Sequence, residues 1–402
     1  MSTWQRFLGR RSRNGPPIDL RLDSGEADTP RLFVASRLPA SPVVVERAEL
    51  LRWRRRFLVR LVSRDGVAGV ALAHERLGLV WPMAVERVLP CFVGQDMRRL
   101  DAIVDAVGRH PDNYKLTGVA FWSCVAAAEM AALDLLGKTA DRSATELLGG
   151  EAERPIPVYL SSLRRDTEPQ IEAEYLAARL AATGARAVKV KIGGRMGVFD
   201  AAPGRTDQLV AAVRRACGDG VELMVDANGS YAAEQATEVG RMLADHGVRY
   251  FEEPCPWEDF TATKRVADAL DDVQVAGGEQ DTSLEKFAWL AANRGVDIVT
   301  PDVIACGGML RTLRVLRLAA AAGLKAGLHS ARNDYLACAM LHVASAAPAH
   351  DRPHEFLADD PRRESWYAPP FAVRSGMVTM PSGPGLGMAI EPTVLRRARR
   401  MG

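Results

Sequence analysis

The chain has 402 residues, 48% of them apolar and 25% charged, with a formal net charge of +2. That length favours two structural units over one, and the near-neutral charge gives no general pull toward nucleic acid or a membrane surface. Six cysteines (Cys91, Cys124, Cys217, Cys255, Cys306, Cys338) are scattered without a Cys-x-x-Cys pair. This argues against a disulfide framework or a zinc site and suits a reducing cytoplasm.

Residues 1–30 read as a flexible arm, whose basic start, Met1–Pro17, lacks the apolar centre of a secretory signal and in which Gly15, Pro16 and Pro17 favour extended chain. An α+β unit is expected over 31–154. Phe57–Val62 and Val67–Ala73 flank Ser63-Arg64-Asp65-Gly66, an Asp-Gly turn that predicts a hairpin. Helical patterns follow at Met97–Val107, Phe121–Leu136 and Ser143–Leu148. No stretch is expected to reach the apolar length that crosses a bilayer. The basic clusters Arg52–Arg56 and Arg396–Arg400 read as solvated faces.

From Pro155 onward a strand signal repeats. Strands are predicted at Pro157–Ser161, Ala187–Ile192, Leu223–Ala227, Arg249–Glu252, Val273–Ala276, Asp297–Thr300, Leu324–Leu328 and His354–Phe356. Alanine- and leucine-rich helices lie between them, among them Ala232–Asp245, Leu284–Asn293, Met309–Ala322 and Tyr335–Ala346. Eight strands alternating with helices argue for a β/α barrel over 155–370 rather than an open sheet. Gly193-Gly194 and Pro203-Gly204 mark an enlarged loop between the second and third strands. The period is lost in 371–402, which is expected to return to the first unit.

Barrel active sites lie at the carboxyl ends of the strands. There the second strand offers Lys189 and Lys191, two apart and so on one face. The next three offer Asp226, Glu252 and Glu279, at intervals of 26 and 27 residues. Asp302, His329 and Glu355 end the last three strands. Each has a plainer reading alone: a solvated lysine edge, a helix-capping acid, a structural histidine. Seven successive strand ends carrying ionisable groups in register point to one site. Three converging carboxylates repel unless a cation sits among them, which predicts a hard divalent metal, Mg²⁺. A metal with two lysines and an Asp–His pair suits removal of a proton α to a carboxylate. Lys189 is expected to depress the pKa of Lys191, and Asp302 to fix the tautomer of His329.

These motifs (Lys-Val-Lys at 189–191, Asp226-Ala227-Asn228, Glu252-Glu253-Pro254, Gly278-Glu279, Pro301-Asp302, His329-Ser330 and His354-Glu355-Phe356) resemble the enolase superfamily, in its mandelate racemase subgroup. The resemblance implies a modified (β/α)₇β TIM barrel under an α+β capping domain. Asp226, Glu252 and Glu279 would hold Mg²⁺. Lys191 and the His329–Asp302 dyad would be the acid/base catalysts, with Lys189 assisting and a protonated Glu355 donating a hydrogen bond. Glu253 is the alternative fourth-strand ligand. The resemblance further implies a homo-oligomer acting on a small-molecule carboxylate, most often a sugar-acid dehydratase, with a racemase or epimerase second. A Schiff-base aldolase using Lys191 and a non-catalytic binding barrel are the rivals from other classes. Substrate contacts are expected from Asn228, Ser161, Gln280 and the segments Ser36–Arg47 and His74–Leu77.

Overall fold

The computed structural model describes residues 32–198, 200, 202–347, 352–359 and 364–402; the expected arm at 1–30 lies outside them. Three antiparallel strands open the fold: β1 (Val45–Trp53), β2 (Arg56–Ser63) and β3 (Ala68–Leu72). Gly66, at φ 82°, supplies the left-handed residue that the β2–β3 turn requires. β1 occupies a stretch expected in part as a loop, and the Arg52–Arg56 cluster is divided between β1, its turn and β2.

This sheet packs on the 23-residue helix Gly118–Ala140. The approach is so close that a Cβ on Gly69 would lie 2.1 Å from the carbonyl of Ala131. By length and composition this helix could cross a membrane, contrary to the sequence expectation. Its apolarity has another cause, because it is buried nearly all round as the core helix of the cap. Two buried acids on it serve as ties. Glu129 accepts the N–H groups of Met309 (3.1 Å) and Leu310 (2.7 Å), capping the helix Met309–Ala321 of the second unit. Asp134 accepts those of Val70 (2.7 Å) and Leu386 (3.0 Å) and pairs with Lys138 at 2.6 Å.

The second unit contains eight parallel strands: β4 (Pro155–Ser161), β5 (Ala187–Lys191), β6 (Glu222–Asp226), β7 (Tyr250–Glu252), β8 (Gln274–Gly277), β9 (Ile298–Val299), β10 (Lys325–Ala326) and β11 (His354–Leu357). Each pairs with the next from β4 to β10, and β11 pairs with the free side of β4. Among the described residues no ladder joins β10 to β11. Tyr159, Ala187, Met224, Tyr250, Ala276 and Ile298 come from six successive strands and form a separate buried cluster. The interval read as an enlarged loop between Lys191 and Asp226 also holds the helix Arg205–Cys217. The carboxyl-terminal segment first adds Met377–Thr379 to the start of β4, then sends Arg399–Met401 back to β1. All six cysteines are free thiols.

Candidate active site

Strand register builds the centre of the site. Lys191 on β5 is opposite Asp226 on β6, which is opposite Glu252 on β7. Glu279 follows β8 after Gly278, whose φ of 122° turns the chain toward the same point. Asp302 and His329 form an isolated parallel bridge just beyond β9 and β10, and Glu355 lies on β11. The strand order therefore sets Lys191 and His329 on opposite flanks of the three acids.

Asp226, Glu252 and Glu279 are buried, and one carboxylate oxygen from each lies within 4.8 Å of the others. Oε1 of Glu252 and Oε2 of Glu279 are buried without a hydrogen-bond partner. Oxygen donors that converge while two of them lack partners match the needs of a hard cation such as Mg²⁺. Burial, outweighing the opposing pull of His329, pushes Glu279 up to about 7, as expected for an acid whose charge lacks compensation.

The lysines supply part of that compensation. Lys189 contacts Glu252 and lies 2.9 Å from Oε1 of Glu355, while Lys191 contacts Asp226. Burial would depress both ammonium groups. For Lys189, Glu252 and Glu355 outweigh it and hold the pKa well above the usual value. For Lys191, Asp226 and Glu279 outweigh both burial and the smaller repulsion from Lys189, so its pKa is raised. The expected depression by its neighbour is thus reversed by a carboxylate in direct contact.

Asp302 works in two directions. Its Oδ1 accepts the N–H groups of Ile304 (2.6 Å) and Ala305 (2.9 Å), capping the short helix Val303–Cys306. Its Oδ2 accepts from Nδ1 of His329 at 2.8 Å, leaving Nε2 3.3 Å from Oε2 of Glu279. Burial opposes charge on His329, but Glu279, the Asp302 hydrogen bond and Glu355 raise its pKa to about 10.

Glu355 differs from its expected role as a protonated donor. Burial favours the neutral acid, yet Lys189, His329 and Lys191 outweigh it and hold the carboxyl well below the usual range. Its Oε2 accepts the N–H of Ser330 at 2.8 Å.

A cavity of about 470 Å³ opens over these groups, lined by Lys191, Asn228, Glu253, Glu279, Gln280, Asp302 and His329 together with the cap loop His74–Arg76. That loop fulfils part of the His74–Leu77 expectation, whereas Leu77 starts a helix. Ser36–Arg47 does not contribute to the lining: Val45–Arg47 belongs to β1, and Arg37 is turned to the carbonyls of Glu146 and Gly150. Ser161 is buried on β4 and also stands outside the lining. Asn228 lines the cavity, but its polar atoms are engaged. Oδ1 takes a hydrogen bond from Arg165 at 2.5 Å, and Nδ2 faces Asp226 and Glu279 at 3.3 Å each. Gln280 donates to Glu279 at 3.2 Å. Arg165, Arg195 and Arg332 escaped the sequence reading because each lies in a loop with no periodic signal.

The comparisons with known proteins agree with this geometry. A family model described as enolase C-terminal domain-like matches residues 172–394. The D-galactarolactone cycloisomerase of Agrobacterium fabrum is 31% identical, over 86% of this chain and 92% of that protein. The arabinonate dehydratase of Saccharolobus solfataricus is 26% identical, over 78% of this chain and 82% of its own length. A mandelate racemase/muconate lactonizing protein from Paracoccus denitrificans, solved with magnesium, superposes with a TM-score of 0.80 at 26% identity, covering 89% of this chain and 99% of the other. Acids and bases at successive strand ends, a cap over them, and a family model matched across more than half the sequence place this chain in the enolase superfamily.

Proposed function

We propose that the protein is a Mg²⁺-dependent sugar-acid dehydratase, converting an aldonate or aldarate to a 2-keto-3-deoxy acid. The observation that carries this reading is the pair of proton-transfer groups, Lys191 and the His329–Asp302 dyad, facing one cavity from opposite flanks of Asp226, Glu252 and Glu279. The eight parallel strands are read as a closed (β/α)₇β barrel, supported by the inner cluster from six successive strands. A cytoplasmic setting belongs to the same reading and is supported by six free thiols.

A divalent cation held by the three acids would place positive charge where negative charge develops on the substrate carboxylate. The chain's own groups handle the protons. The carbon–hydrogen bond α to the carboxylate breaks and its proton passes to Nζ of Lys191 or Nε2 of His329, according to the configuration at that carbon. For Lys191 this requires a neutral amine; Asp226 holds the ammonium form and would hold it less tightly with its charge directed to a cation. In the second step the β carbon–oxygen bond breaks, and the hydroxyl leaves as water after taking a proton from the charged imidazole of His329. The resulting enol becomes the 2-keto acid. Lys189, held charged by Glu252 and Glu355, adds fixed positive charge beside the developing anion.

The same two groups could also exchange protons across one carbon, so racemisation or epimerisation is the second reading. A Schiff-base aldolase fits less well, because that chemistry has no use for the three converging carboxylates of Asp226, Glu252 and Glu279. Incubation with Mg²⁺ and a panel of sugar acids, followed by trapping with semicarbazide, tests the proposal. A semicarbazone of a 2-keto acid is expected. Altered optical rotation without a keto acid would replace dehydration by racemisation.

A further inference from the structure

We infer that the substrate carries a second carboxylate, far from the reacting carbon, and that Arg195 and Arg76 receive it. This rests on the sugar-acid reading above and selects an aldarate over an aldonate.

The arginines around the cavity fall into two groups. Arg332 is paired with Glu75 at 3.3 Å and Asp334 at 3.2 Å. Arg164 is paired with Asp359 at 2.8 Å, and Arg165 is spent on Asn228 and the carbonyls of Ile192 and Gly193. Among the described residues, no carboxylate pairs with Arg195 or Arg76, yet both line the cavity that holds Lys191 and His329. One comes from the loop after β5 and the other from the cap loop. A guanidinium group suits a planar carboxylate, which it can bind through paired N–H donors.

The loop carrying Arg195 is held at a conformational cost. Arg195 and Met196 are consecutive non-glycine residues with positive φ, 89° and 43°. Such backbone is strained and collects at functional sites. Three hydrogen bonds fix it: Arg195 N–H to Ser230 Oγ at 2.8 Å, Met196 N–H to Asn228 O at 2.9 Å, and Gly197 N–H to Gly229 O at 2.7 Å. Asn228, Gly229 and Ser230 lie just beyond Asp226 in sequence, after Ala227. The loop is therefore anchored to the strand end that supplies a metal-ligand candidate, which holds the Arg195 backbone in place relative to the reacting centre. A second hollow of about 380 Å³, whose lining includes Arg164, Arg165 and Asp166, adjoins the first through Leu163 and Arg195.

The test compares kcat/KM for C5 and C6 aldarates with aldonates of matching configuration, in wild type, Arg195→Gln, Arg76→Gln and Arg195→Lys. Wild type is expected to favour a diacid at least tenfold. Either glutamine variant should lower the diacid-to-monoacid ratio about tenfold, chiefly through KM, and Arg195→Lys should restore part of it. Wild type favouring the monoacid, or glutamine variants that leave the ratio unchanged, would overturn the inference. Exchange of the α-proton in D₂O separates the two levels. Exchange with monoacids alone leaves the sugar-acid reading standing and removes this one, whereas no exchange with any acid removes both.

Discussion

Replacing Asp302 by asparagine separates its two duties. Two backbone hydrogen bonds, from Ile304 at 2.6 Å and Ala305 at 2.9 Å, end on Oδ1, and a single one from His329 ends on Oδ2. Asparagine keeps one acceptor, and satisfying two N–H donors outweighs satisfying one, so its oxygen should remain at the cap. The amide NH₂ then faces Nδ1 of His329 and donates to it. The neutral ring must carry its proton on Nε2, where a base needs a lone pair, and the imidazolium loses its carboxylate partner. General acid–base catalysis contributes about 10²–10⁴ in rate, equivalent to roughly 3–5 kcal/mol, and a comparable tautomer error in a serine protease triad costs about 10⁴ in kcat. We therefore expect kcat to fall by about 10³–10⁴. The preserved cap should hold the stability change below about 1 kcal/mol. Turnover, urea denaturation and Mg²⁺ binding would be measured together. A variant retaining a tenth of wild-type kcat, or one whose loss tracks unfolding, would refute the dyad's assigned role.

Three further outcomes follow from the same contacts. Glu129→Ala strands two N–H groups at the start of Met309–Ala321 and leaves a cavity, so urea unfolding should show a loss of about 3–5 kcal/mol; a loss below 1 kcal/mol would contradict the tie between cap and second unit. His342 is fully buried, with Nδ1 2.6 Å from Thr145 Oγ1 and Nε2 3.1 Å from Leu386 O, and burial lowers its pKa from 6.5 to about 4. Because the folded value lies below the unfolded one, its neutral form contributes fully above pH 6.5, and up to about 3 kcal/mol is lost as pH falls toward 4; a His342→Gln variant should show a flatter stability profile over that window. Mg²⁺ at a hundredfold excess over its Kd should stabilise the wild type by about 2.7 kcal/mol. Glu252→Gln should abolish that gain, and an undiminished thermal shift would remove Glu252 from the ligand set.

Much of the site was legible because period and chemistry coincided: apolar runs recurred, and an ionisable residue closed each one after the first. Register then did what spacing could only suggest, setting Lys191, Asp226 and Glu252 level across three strands. What stayed hidden depends on contacts between distant segments. The field at Lys191 is dominated by Asp226 across a strand pair, and that at Glu355 by Lys189 and His329, so neither charge state could be read locally. The helix Gly118–Ala140 looks membrane-like only until Glu129 is seen capping a helix 180 residues away. β1 was obscured because its charged residues broke the alternation expected of a strand, and the distal end of the cavity because Arg195 sits in a loop held by backbone hydrogen bonds.

The most direct test of the account is proton NMR of the protein with Mg²⁺ and pooled sugar acids in D₂O, run beside Lys191→Ala and His329→Asn. The account predicts that at least one acid loses its α-proton signal and gains a methylene pattern, that His329→Asn abolishes this conversion, and that Lys191→Ala abolishes it wherever Lys191 takes the α-proton. No loss of any α-proton by protein that Mg²⁺ has measurably stabilised, or conversion undiminished in both variants, would contradict it.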